Sequence, residues 1–229
     1  MYDKLVAQKL IKGSRLPNRV VRKLIGFFAL EIPAVRAARE VGANRHSAER
    51  VYDLIREAIV AECEREAPLS GEVEVDESYF GGHRKGNRGR GAAGKVAVFG
   101  LLKRNGRVYT RPVPDVSRAI LRLIIKQKVP EGSTIYSDSF RSYDGLLTDG
   151  YRHYRINHGR GEFARKKNHI NGIESFWAFA KNKLRRYYGV RRSHFFLYLK
   201  EMEFRFNHRH ENIEVVITKI LRRESKHLD

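Results

Sequence analysis

The spacing of apolar residues changes character along this chain, and that change limits the folds open to it. Up to Cys63 the pattern is helical: Ala48, Val51, Ile55, Ala58, Ile59 and Cys63 line one face of RHSAERVYDLIREAIVAECERE. After the link EAPLSG at 66–71, the segment EVEVDESYF alternates instead. Val73, Val75 and Tyr79 fall on one side of an extended strand, and Glu72, Glu74 and Asp76 on the other. The chain therefore has to combine an all-helical region with a sheet that follows it.

Within the helical region, Asn18 is placed to cap RVVRKLIGFFAL, Pro33 separates that helix from AVRAAREVG, Gly42 breaks the chain again, and Asn44 caps the next helix. Ala38, Gly42, Ala48 and Val51 sit at the intervals a helix-turn-helix DNA reader needs, which would turn Arg45, His46, Glu49 and Arg50 toward a groove. An ordinary helical hairpin satisfies the same pattern. Beyond the link, KVAVFGLLKR and RVYTRPVP flank Asn105-Gly106, a pair suited to the positive φ angles of a hairpin turn. Ser117 opens the helix RAILRLIIKQK, and STIYSD is a short buried strand ending at Asp138. A small helix, the strand YRHYRIN and a long helix from about 168 to 187 complete the series. The expected order is β-β-β-α-β-α-β-α, an α/β mixed sheet flanked by helices.

Charge narrows the partner. With 46 Lys and Arg against 26 Asp and Glu, the formal charge is +20, which favours a polyanion through counterion release. The excess is uneven: residues 1–70 carry 13 basic and 9 acidic side chains, residues 71–229 carry 33 and 17. Cys63 is the only cysteine, which excludes a disulfide framework or a cysteine zinc site within one chain. The longest apolar runs, such as LIGFFAL and VAVFGLL, fall well short of the roughly 18 residues a spanning helix needs. Lys4 and Lys9 interrupt what would be the apolar centre of a secretory leader. The expectation is a cytoplasmic, nucleoid-associated protein with double-stranded DNA as partner and no membrane.

Three acids stand out by position. Asp76 lies inside the first strand, Asp138 ends the fourth, and Glu174 belongs to the late helix, in a stretch (151–192) with twelve basic residues and only Glu162 and Glu174 as acids. Carboxylates brought together repel one another unless a cation neutralises them, and hard oxygen ligands suit Mg²⁺ or Mn²⁺. Two such ions about 4 Å apart serve phosphodiester chemistry. On the late helix, Ile173, Phe176, Trp177, Ala180 and Leu184 form an apolar face, whereas Asn171, Glu174, Ala178, Lys181 and Arg185 form a neighbouring polar stripe. Lys181 then lies about 10 Å along the helix from Glu174, within reach of a phosphate.

VEVDESYFGG, IYSDSFRSYDGL and NHINGIESFWAFAKNKLRR resemble the three signature blocks of insertion-sequence transposases of the ISXO type, and the resemblance runs from about Gly71 to Arg209. It implies an RNase H-like fold with a DDE triad of Asp76, Asp138 and Glu174 holding two Mg²⁺ or Mn²⁺ ions, followed by Lys181. His169 and Asn171 are site neighbours, and Asn171 rivals Glu174 as third ligand. It also implies DNA cleavage at element ends, strand transfer into target DNA, and a homodimer or larger synaptic assembly. Many relatives carry an N-terminal cysteine-rich zinc ribbon that this chain cannot build, so end recognition would rest on the helical region and the basic surface.

The expected organisation is a helix-turn-helix-like region over 1–66, a catalytic domain over 71–210 and a helical tail over 211–229. DNA contacts are expected from Arg45, His46 and Arg50. Arg84, Lys85, Arg88 and Arg90 in the glycine-and-arginine loop 81–94, and Lys183, Arg185, Arg186, Arg191 and Arg192 near the end of the late helix, are expected to contribute others. Tyr187 and Tyr188 are placed to stack on distorted bases. Two other functions fit the same residues: an RNase H-like nuclease without strand transfer, and a non-catalytic DNA-binding regulator. GRGAAGK has phosphate-loop spacing but runs into Val96 and a strand, and His208 with His210 lacks further ligands at useful spacing.

Overall fold

The structure, a computed structural model, describes residues 9–65, 68–81, 94–138, 141–143, 145–156, 170–187 and 189–226. The chain divides into two compact units, Met1–Arg65 together with His208–Asp229, and Glu66–Asn207.

The first unit is helical. Helices α1 (Asn18–Ala29), α2 (Ala34–Val41) and α3 (Arg45–Arg65) pack together around Leu24, Ile25, Phe28, Ala38, Val51 and Ile55. Asn18 is the first residue of α1 and not its cap; its Oδ1 accepts the Leu10 amide at 2.9 Å. Gly42 ends α2 in the left-handed region at φ 65°, where its lack of a Cβ removes the strain another residue would bear. Asn44 accepts the His46 amide at 2.8 Å and so opens α3 as expected. The last helix, α7 (Ile213–Lys226), expected from sequence as a separate tail, packs on α1 and α3, with Ile217, Ile220 and Leu221 buried. Its apolar face needs a partner, and Arg65 with Glu224 (2.6 Å) and Arg223 with Glu62 pair along the contact.

The second unit is a five-stranded sheet in the order β3-β2-β1-β4-β5, built from β1 (Glu72–Phe80), β2 (Val96–Lys103), β3 (Val108–Val113), β4 (Thr134–Asp138) and β5 (Arg152–Ile156). The first three strands form an antiparallel meander, and β4 and β5 add in parallel on the far side of β1. This is the mixed α/β sheet flanked by helices that the sequence leads one to expect. Asn105 turns the β2–β3 hairpin at φ 56°.

Apolar alternation sends two cores to opposite faces. Val73, Val75, Phe99, Leu101 and Ile135 pack beneath α4 (Arg118–Lys128), joined by Tyr143 from a short 3₁₀ turn, Arg141–Tyr143. Phe80, Val98, Leu102, Tyr136 and Ile156 form the other core with α5 (Asn171–Arg185) and α6 (Phe195–Asn207). The helix expected between the fourth and fifth strands is present as 3₁₀ turns at Arg141–Tyr143 and Leu147–Asp149. Gly145 and Gly150, both at positive φ, break up that stretch.

Buried polar contacts anchor the helices to the sheet. Glu203 of α6, fully buried, accepts Thr110 N and Oγ1 of β3 at 2.7 and 2.6 Å and pairs with buried Lys200 at 3.0 Å. Burial pushes the Glu203 carboxyl up, against the pull of Lys200. On β2, Gly100 lies directly beneath Trp177 of α5. A Cβ there would stand 2.5 Å from the indole Cζ2, so the close approach of helix to strand requires glycine.

Gly100→Ala is therefore expected to destabilise the protein by about 1–3 kcal/mol through overpacking. Because Trp177 is the only tryptophan, its displacement is read directly as a red-shifted emission in the folded variant, beside the loss in denaturant midpoint.

Candidate active site

The parallel pairing of β1 with β4 puts the two aspartates on neighbouring strands. Glu72 lies opposite Thr134 and Glu74 opposite Tyr136, two residues before each aspartate, and the Asp138 charge bears on Asp76. On its other side Asp76 faces Gly100 of β2. It lies on the α5 face of the sheet, and the Trp177 indole N–H donates to its Oδ2 at 3.0 Å.

Burial is the main force on this carboxyl and raises Asp76 to about 6, with the Asp138 and Glu174 charges adding to the rise. A backbone N–H at Glu77 and the Trp177 indole act against it. A carboxylate half-withdrawn from water, with like charges nearby, is a site in electrostatic need of a cation.

Glu174 is exposed in the first turn of α5, and Asn171 is the exposed first residue of that helix. Among the described residues, no three His, Cys, Asp or Glu side chains converge closely enough to hold a metal ion. The aspartates lie on neighbouring strands, and Glu174 bears on Asp76 through its charge. Lys181 runs from the same helix to Phe80, its Nζ 5.6 Å from the ring centroid. Lost hydration lowers the Lys181 ammonium, while the Asp76 charge raises it, so cation and carboxylate share one field.

Several residues that sequence reading assigned elsewhere take part. Trp177 was placed on the apolar face of its helix, and its ring is indeed buried, but its N–H serves Asp76. Glu74 is buried to 1% exposure; its Oε2 accepts the Ile173 amide of α5 at 2.9 Å and its Oε1 accepts Arg104 Nε at 3.1 Å. Glu77 faces the α4 side, away from Asp76, where buried Tyr143 donates to it. The one signal in the sequence that could have found Glu74 and Trp177 is their spacing: Glu74 shares a strand face with Asp76, and Trp177 lies one turn from Glu174.

The expected DNA-contacting residues fall in three places. Arg45, His46 and Arg50 are exposed on the first turns of α3, where Arg45 pairs with Glu49 at 2.7 Å, His46 with Glu49 at 3.4 Å, and Arg50 with Glu57 at 3.1 Å. Exposed pairs of this kind are worth little and exchange readily for phosphate. Arg185, Arg186, Arg191 and Arg192 are exposed, and Lys183 Nζ lies 5.7 Å from the Phe179 ring centroid. His169, Arg84, Lys85, Arg88, Arg90 and Tyr188 lie outside the described residues. Tyr187 packs edge-on against Tyr198 at 4.8 Å and its hydroxyl donates to Glu201, contacts that engage the ring within the protein. His208 pairs with Glu211 at 2.7 Å.

Residues 68–207 match the model of the ISXO2-like transposase domain. The chain belongs to this family. It is 46% identical over 115 residues to an uncharacterized transposase-like protein of Haemophilus influenzae, a match covering 50% of this chain and 93% of that relative. It is 31% identical over 154 residues to an uncharacterized protein in transposable element ISH50 of Halobacterium salinarum, covering 60% of this chain and 52% of that one. Among solved structures it is similar to a chain of the simian T-cell lymphotropic virus intasome in complex with PP2A regulatory subunit B56 gamma, at 10% identity and TM-score 0.40, over 81% of this chain and 68% of that chain. It is likewise similar to a chain of the Mos1 strand transfer complex, at 13% identity and TM-score 0.31, over 91% and 79%. Among the described residues of this ISXO2-like transposase no helix is long and apolar enough to cross a membrane.

The raised Asp76 has a consequence for stability. Its folded value of about 6 exceeds the ordinary 3.8, so ionisation destabilises the cation-free folded state above pH 6, and the penalty disappears as pH falls below 4. Asp76→Asn is therefore expected to stabilise the protein in EDTA by about 3 kcal/mol at pH 8 and by well under about 1 kcal/mol at pH 4, measured by denaturant unfolding.

Proposed function

We propose that this transposase cuts DNA at the ends of its element and joins the freed ends to target DNA, with Asp76, Asp138 and Glu174 as the acids that hold Mg²⁺ or Mn²⁺. The observation that supports the reading is the parallel pairing of β1 with β4, the strands that carry Asp76 and Asp138, together with the burial and the Asp138 and Glu174 charges that work against ionisation of Asp76. Two hard carboxylates on adjacent strands suit a divalent cation, and Glu174 on α5 supplies a third oxygen donor, with Asn171 as the alternative. When bound, such ions supply Lewis-acid charge that stabilises the phosphate oxygens of an in-line displacement.

The protein's own groups do the rest. Trp177 donates to one oxygen of Asp76 and so fixes the orientation of that carboxylate. Lys181, kept close to Asp76 on α5, positions a phosphate beside the reacting bond. The exposed arginines at the end of α5 and after it extend a cationic surface along the DNA backbone, and α3 with Arg45, His46 and Arg50 reads the element end in a groove. Joining two ends requires two active sites, so the working form is a dimer or a larger assembly on DNA.

The test is cleavage and strand transfer on labelled DNA carrying the element ends, with Mg²⁺ or Mn²⁺. Asp138→Asn is expected to bind DNA as the wild type does and to lose cleavage by about three orders of magnitude, the several kcal/mol that a cation's charge stabilisation supplies. Wild-type cutting without joining would make the protein a nuclease of this fold. Binding without metal-dependent cutting would make it a DNA-binding regulator.

A further inference from the structure

Strand β1 grips helix α5 at two points, and Glu174 lies between them. At the first, Glu74 Oε2 accepts the Ile173 amide at 2.9 Å; at the second, one turn on, the Trp177 indole donates to Asp76 Oδ2 at 3.0 Å. Glu74 and Asp76 are alternate residues of one strand face. Both grips therefore act from the same face of the sheet, on its central strand.

The first grip has its own support. Glu74 Oε1 is held by Arg104 Nε at 3.1 Å, Arg104 is 12% exposed with its guanidinium 3.6 Å from the Tyr136 ring centroid, and the Tyr136 hydroxyl donates to Glu72 at 2.9 Å. Gly172 lets the helix come this close, since a Cβ there would stand 2.8 Å from Glu74 Oε2 and 3.0 Å from Leu102 Cδ2. The first amides of a helix lack internal partners and are commonly capped by a residue just before the helix. Here Ile170 occupies that place and makes no side-chain cap. A cap from the helix's own chain moves with the helix, whereas a cap from β1 ties the helix to the strand that carries Asp76.

We propose that Glu74 is a positioning residue, which fixes the first turn of α5, and with it Glu174, relative to Asp76 and Asp138. This rests on the reading of those acids as cation ligands. Loss of Glu74 would then loosen the cation site beyond any general loss of stability, as happens when groups that orient metal ligands are removed.

The full-length protein without DNA is titrated with Mg²⁺ and followed by emission of Trp177, the only tryptophan. Glu74→Ala is expected to raise the Mg²⁺ midpoint about 10- to 100-fold. Glu74→Gln, which keeps a carbonyl acceptor for the Ile173 amide, is expected to raise it less. Thr110→Val removes a buried hydrogen bond to Glu203 on the strand β3 and serves as a destabilised comparison; its midpoint is expected to stay at the wild-type value. The proposal is overturned if Glu74→Ala moves the midpoint no further than Thr110→Val does. Should Glu74→Ala not fold, Glu74→Gln and Arg104→Met decide instead, and wild-type midpoints in both overturn it. If wild type and Asp138→Asn respond to Mg²⁺ alike, the cation reading itself fails and takes this inference with it, a result distinct from an effect confined to Glu74.

Discussion

Parallel pairing between β1 and β4 is the constraint on which the candidate site depends. Parallel neighbours cannot be joined by a tight turn, so the chain must complete the β2–β3 hairpin and cross over through α4 before β4 can pair with β1. Register then does the chemical work. With Glu74 opposite Tyr136, a strand period of two sends Asp76 and Asp138 to the same face of the sheet. A slip by one residue would send one of them to the α4 face, into an apolar core of Val73, Val75 and Ile135. The hydrophobic alternation that builds the core thus also protects the alignment of the acids.

The face opposite α4 is assembled with polar contacts that an apolar core alone would not supply. Trp177 buries its ring against β2 over Gly100 while its N–H reaches Asp76, and Glu74 is buried with both oxygens satisfied by Ile173 and Arg104. Buried polar groups of this kind contribute little net stability but lose much when one partner is removed, so they select one placement of the helix over near alternatives. Asp76 carries the cost of the arrangement in its raised carboxyl. Destabilised acids of this sort concentrate at functional sites because the ligand that relieves them is the one the site is built to hold.

Much of the architecture was legible from periodicity. The five strands, α4 and α5 all follow from alternation or helical spacing in the segments that form them, because each pattern reports which faces must be buried. Asp76, Asp138 and Glu174 could be singled out by their places on predicted elements. Other roles could not be read this way. Trp177 looks like one more apolar residue on a buried face, and Glu74 like a solvent-facing acid of an alternating strand, because pattern reports a residue's side and not its partner. The segment between β4 and β5 read as a helix, but glycines at positive φ leave it as 3₁₀ turns. The helix α7 read as a tail, since no local signal tells which distant face will cover Ile217 and Leu221.

What the sequence by itself determined is the inventory: a helical region, a sheet that follows it, a strong positive charge, and the three acids set apart by their positions. Each is a property of short segments or of composition, and short-range physics suffices to read it. Tertiary structure alone decided that Asp76 and Asp138 lie on strands paired in parallel, that Gly100 makes room for Trp177 to reach Asp76, and that Glu74 holds the helix bearing Glu174. These are contacts between residues far apart in the chain, such as Glu74 with Ile173 and Asp76 with Trp177. Their energies exist only once strands have paired in register and a helix has been laid across them, which no local pattern encodes.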